Sequence, residues 1–144
     1  NSFLQRRQVP VEIMGLSVVG MVVSTFAGMS LGALWYSPLL FGKQWMECIG
    51  KSPETLGKQT IPILGSIVAN LATAVGLTII FKLVGISGLA SGITVGLALG
   101  VLIVFPALLS DNLFCGWGVR LLLIQSGYRL SSILLMSIIL VYLG

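Results

Sequence analysis

The sequence predicts an all-α integral membrane protein with four transmembrane helices arranged as two antiparallel hairpins and a short interfacial helix after the first span. Three observations carry this prediction. The first is composition: 56% of the 144 residues are hydrophobic and 8% are charged, with a mean hydropathy of +1.07. A soluble domain carries about 25% charged residues, so this chain cannot clothe a water-facing surface and suits lipid as its solvent. The second is a set of four long apolar segments, at about 13–34, 61–82, 88–109 and 119–142. At about 1.5 Å per residue each can cross a hydrocarbon core of roughly 30 Å. The third is the recurrence of small residues at every fourth position in two of those segments. Residues 1–144 read as a single membrane domain.

Composition also excludes functions. The net charge of +4 is modest and its basic residues are scattered, whereas a nucleic-acid footprint needs a basic face or stripe. There is no His, which removes the commonest metal ligand and proton shuttle. The four acids, Glu12, Glu47, Glu54 and Asp111, sit near span ends or in connections. No nucleophile with its base and no metal-ligand cluster can be assembled from them, so the expectation is a non-enzyme without a metal site. The chain begins on Asn1 rather than Met, as a processed or trimmed chain would, and no signal or transit peptide is in view.

In chain order, the polar flank with Arg6 and Arg7 reads as an ordinary juxtamembrane segment. Ile13 to Leu34 is uncharged, and Gly20, Ser24, Gly28 and Gly32 form a groove along one face. Lipid offers no hydrophobic drive between helices, so close backbone approach through such grooves is how spans associate. The connection 35–60 is the longest; Gly42 to Gly50 is predicted to lie as a short helix in the interface, and Ser52-Pro53-Glu54 to begin another helical piece. In the second span Ser66, Asn70, Ala74 and Thr78 make a weakly polar stripe, and Asn70 calls for a partner on another helix. The link to the third span is short enough to make an antiparallel pair. Gly88, Gly92, Gly96 and Gly100 then repeat without a break and predict a tight helix contact, with the first span as the expected partner. Pro106 cannot donate to the carbonyl of Leu102, so a kink or early end is expected there. The fourth span carries Gln125, expected to bond another helix, and Arg129. Arg129 is expected to be structural, snorkelling to the boundary or pairing with Asp111.

Two aromatic connections punctuate the spans. Trp35, Tyr36, Pro38, Phe41, Gly42 and Trp45 follow the first; Asn112, Phe114 and Trp117 follow the third. Trp and Tyr favour the level where hydrocarbon meets headgroup, so these residues are expected at one membrane face, with Phe41 and Phe114 dipping back towards the helices. Cys48 and Cys115 fall on that side as well, and both a disulfide and two free thiols are compatible with the sequence. Four spans place both termini on one side. The basic residues are too evenly divided to fix orientation. The two halves also echo one another: Ser37-Pro-Leu-Leu-Phe41 matches Ser110-Asp-Asn-Leu-Phe114, at an offset close to half the chain. Both turns lie on the same side, so a repeat would be parallel.

The run Gly-Ala-Leu-Trp-Tyr-Ser-Pro-Leu-Leu-Phe-Gly-Lys-Gln-Trp-Met (Gly32 to Met46), with Asn112-Leu-Phe114 and Gly127-Tyr128, resembles the domain-of-unknown-function family 1761. The resemblance covers nearly the whole chain and implies a small four-helix membrane protein with no established activity. The family pattern implies an acidic residue after Asn-Leu-Phe and Asp and His around Gly-Tyr; this chain holds Cys115, Gln125 and Arg129 there. That departure tilts the expectation away from proton or ion work.

Two function classes follow. The first is a structural or accessory subunit of a larger membrane assembly, respiratory or photosynthetic, packing against neighbouring helices, lipids or pigments, in a bacterial inner, thylakoid or mitochondrial membrane. Small size, glycine grooves and scarce charge favour it. The second is a small oligomeric transporter or channel, favoured by Asn70, Gln125, Arg129 and the internal echo. No cofactor is specified, and the expected partners are lipid and other transmembrane subunits rather than nucleic acid.

Overall fold

The computed structural model describes residues 12–13 and 16–144; the flank with Arg6 and Arg7 lies outside them. The described chain is almost wholly helical: α1 (Val18–Trp35), α2 (Gly42–Ile49), α3 (Thr60–Val84), α4 (Leu89–Leu99), a π-helical turn (Gly100–Val104), α5 (Phe105–Cys115) and α6 (Val119–Leu143). Four helical segments are long and apolar enough to cross a membrane: α1, α3, the continuous run Leu89–Cys115, and α6. Their outward faces carry large apolar side chains such as Phe26, Ile61, Leu102 and Leu123, each more than half exposed. Such surface belongs in lipid, and the protein is a multi-pass membrane protein.

The span limits differ from the expected ones at two places. Helix α1 begins at Val18 rather than Ile13. Glu12–Ile13 pairs antiparallel with Leu16–Ser17, and the Ser17 hydroxyl oxygen caps the helix by accepting from the Gly20 N–H at 3.1 Å. The third span runs to Cys115 rather than ending near Leu109. Pro106 removes a donor, and the chain widens just before it: the Phe105 N–H donates to Gly100, five residues back. This wide turn accommodates the proline, and the helix continues to a left-handed Gly116. Most of the expected aromatic turn after the third span is therefore helix. Ser52 to Leu56 forms a turn held by bonds to the Ser52 carbonyl rather than a helical piece.

The packing centres on α6. Helices α1, α3, α4 and α5 all contact it, and α3 also packs on α1. Buried Met21, Ala74, Leu77, Phe81, Ile133, Met136 and Leu140 knit α1, α3 and α6 together. Both small-residue stripes meet α6. A Cβ at Gly20 would stand 3.2 Å from Leu140, one at Gly28 would press on Asn70 and Met136, and one at Gly32 would stand 3.0 Å from the Tyr128 oxygen. On the other flank, a Cβ at Gly92 would meet Val141, at Gly96 the Ser137 oxygen at 2.5 Å, and at Gly100 Leu130 at 2.7 Å. The partner of the third-span glycines is thus α6, not the first span. Along both stripes, rising numbers on α1 or α4 meet falling numbers on α6, so both helices run against it. Gly88 does not belong to the stripe: it precedes α4 in an extended conformation, with nothing near its missing side chain. Ser24 is fully buried, and its hydroxyl has no partner among the described residues.

Candidate functional site

The last turn of α1 and the aromatic connection build a cluster of specific contacts with α6. Trp35 lays its ring on Gly127 of α6, where a Cβ would stand 2.8 Å from it, and its indole N–H donates to the Ile124 carbonyl at 3.0 Å. Only a residue without a side chain permits that approach. Phe41 folds back on Trp35, ring centres 4.9 Å apart, so it dips towards the helices. The turn between them is tight: the Phe41 N–H donates to the Trp35 carbonyl at 2.9 Å and the Gly42 N–H to that of Ser37 at 3.0 Å. Gly42 is buried, and any side chain there would collide with the carbonyls of Tyr36 and Ser37. Pro38 is exposed at the turn.

Tyr36 bridges the cluster. Its ring stands edge-on to Trp45 at 5.5 Å and to Tyr128 at 5.6 Å. Burial holds its hydroxyl above the ordinary tyrosine range; the Arg129 charge opposes that rise and Tyr128 adds to it. The phenol therefore stays protonated and able to donate. One turn deeper, the Tyr128 hydroxyl donates to the Gly28 carbonyl at 3.0 Å. The Asn70 amide donates to the Ser66 carbonyl on its own helix at 2.8 Å and to the Met29 sulfur on α1 at 3.3 Å, with the Tyr128 oxygen at 3.5 Å. Asn70 and Tyr128 are both buried. Lipid offers a buried polar side chain no partner, and here α1, α3 and α6 supply theirs to one another.

Between these contacts lies a cavity of about 600 Å³, walled by the end of α1, Trp45 of α2, the start of α3 and the first half of α6. Tyr36, Trp45, Ser66, Gln125 and Tyr128 reach it, along with apolar groups such as Met29 and Ile63. Gln125 lines it without bonding another helix among the described residues, contrary to expectation.

The remaining residues singled out by sequence lie apart. Arg129 is exposed, and its guanidinium carbon stands 5.2 Å from the centre of the Tyr128 ring. Among the described residues it makes no ion pair with Asp111; Arg120 pairs instead with Glu47 at 3.0 Å and ties α2 to the start of α6. Asn112 is buried, and its amide donates to the Gly118 carbonyl at 3.0 Å, closing the turn into α6. Phe114 is 92% exposed and does not dip back, because the helix continues through it and aims it outwards. Trp117 is half-exposed. Cys48 and Cys115 carry free thiols.

Tyr128 is the important residue that sequence reasoning passed over as a site. Its signal was the Gly127-Tyr128 pair: Gly127 receives Trp35 and Tyr128 receives Gly32. Two of the three stretches that carried the family resemblance, Gly32 to Met46 and Gly127-Tyr128, are thus two sides of one contact.

No curated protein and no solved structure matches the chain. The family described as "Protein of unknown function (DUF1761)" matches it over residues 13–141, from the short strand at Glu12–Ile13 to the last turn of α6. With nearly its whole length matched, the chain belongs to the DUF1761 family.

Proposed function

We propose that the protein is a non-enzymatic accessory or structural subunit of a larger membrane assembly, respiratory or photosynthetic, which works by packing against neighbouring helices and lipids. The observation that carries this reading is the outward face of α3. Gly65, Ala69, Ala72 and Gly76 share one helix face, and nothing described lies within 4 Å of a Cβ at Gly65 or Gly76. Each helix-interior glycine costs about 1 kcal/mol of helix propensity relative to Ala, and no contact inside the fold offsets it. A helix from another subunit, laid close against that face, would.

The intramembrane polar residues support the same reading. Asn70 and Tyr128 bond across helices, and Arg129 braces the Tyr128 ring. The four-residue glycine spacing shared by α1 and α4 supports a common origin of the two hairpins, and four spans support both termini on one side.

The cavity favours a second reading, a small oligomeric transporter. Arg129→Gln separates the two. For a packing subunit, the variant lowers stability or assembly and leaves any ion or solute flux of the surviving protein unchanged. A normally assembled Arg129→Gln protein with a lost flux would promote the transporter.

A further inference from the structure

The cavity beside Tyr36 carries hydrogen-bonding capacity that the protein itself leaves unused. The Tyr36 hydroxyl, the Trp45 indole N–H, the Ser66 hydroxyl and the Gln125 amide all belong to lining residues, and none of these groups bonds anything among the described residues. Ser66 and Gln125 each lie about 9 Å along their helices from the ends at Thr60 and Val119, by helical rise. At that depth uncovered donors are costly. Three of the four groups present a donor hydrogen and the amide presents two more, so the occupant that satisfies them is rich in acceptors. Tyr36 stands edge-on between Trp45 and Tyr128, so the wall of the cavity is aromatic and suits a flat ring. The lining contains no Asp, Glu, Lys or Arg, so nothing there neutralises a phosphate or a cation. The volume of about 600 Å³ is that of a typical small-molecule site.

We infer that this cavity binds a flat, uncharged ring bearing carbonyl oxygens and an apolar tail, the chemistry of a membrane quinone. The ring carbonyls accept from Tyr36, Trp45, Ser66 and Gln125, and the tail follows the apolar side towards Met29 and Ile63. Only binding is assigned; no electron transfer is invoked. The inference does not depend on the packing face of α3.

The test is a titration of the purified full chain in phospholipid nanodiscs with a decyl-substituted benzoquinone, read as quenching of tryptophan fluorescence. The expected result is saturable quenching. Ser66→Leu, which fills the cavity and removes one donor to the ring while keeping the Ser66 carbonyl that holds Asn70, should abolish saturation. Tyr36→Phe and Gln125→Leu should each weaken binding about tenfold, the effect of one hydrogen bond, with thermal unfolding of each variant showing that it remains folded. Tyr36→Phe loses a single oxygen atom, so its result stands even if Ser66→Leu fails to fold. Quenching that rises linearly without saturation, or equally in wild type and Tyr36→Phe, would overturn the inference. So would equal competition by a decyl chain lacking the ring, which would give the cavity to a lipid tail.

Discussion

Tyr128 shows how much one side chain can join in a protein whose core gains nothing from leaving water. Its hydroxyl holds the Gly28 carbonyl, its ring receives Gly32 and Tyr36, and Arg129 stands over its face. Tyr128→Phe should destabilise the protein by about 1 kcal/mol, since hydrogen bonds between membrane helices are worth roughly 0.6–2 kcal/mol; unfolding from mixed micelles measures it. Gly127→Leu should do far more, because the Trp35 ring and its bond to Ile124 lose their place together. Near-ultraviolet circular dichroism should then lose the tryptophan signal. None of this was legible residue by residue. Tyr128 is an ordinary aromatic within an apolar span, and sequence spacing does not report which way its ring turns. The pairing expected of Arg129 and Asp111 failed for the same reason: Asp111 lies exposed on α5, and Arg129 turns to the Tyr128 ring.

At the scale of elements, spacing was informative and partnership was not. Four-residue repeats on Gly20 to Gly32 and Gly92 to Gly100 reveal a close-packing face because a helix brings such positions into line. Nothing in a glycine names the helix opposite, and both stripes turned out to face α6. Gly88 continued the period but fell outside α4, where it precedes the helix. Pro106 was legible as a break in hydrogen bonding; the π turn that absorbs it was not, because the missing N–H does not dictate how the preceding turn relaxes. Gly96→Leu should disrupt folding or assembly, since its first added carbon already meets Ser137 at 2.5 Å. Leu97→Ala should be mild, because Leu97 is 42% exposed on the outer side. Yield of monodisperse protein after detergent extraction distinguishes them, and equal yields would remove α6 as the partner of that stripe.

At the scale of the whole molecule, membrane character and the number of spans were legible because composition and segment length answer directly to the thickness and polarity of the bilayer. The cavity was not, because it arises where α1, α2, α3 and α6 meet and belongs to no single segment. Depth-dependent quenching in vesicles should find Trp35, Trp45 and Trp117 near one membrane face; quenching at bilayer-centre depth, or at two opposite faces, would contradict the four-span arrangement. The central claim is that α3 offers its small-residue face to another subunit. The most direct test is purification from the native membrane in mild detergent, comparing the wild type with Ala69→Leu. Ala69 is exposed, so the substitution should leave the chain folded. The wild type is predicted to co-purify with other transmembrane proteins in fixed proportion, and Ala69→Leu to be recovered alone. A wild type that runs alone, or an Ala69→Leu protein that keeps every partner, would contradict it.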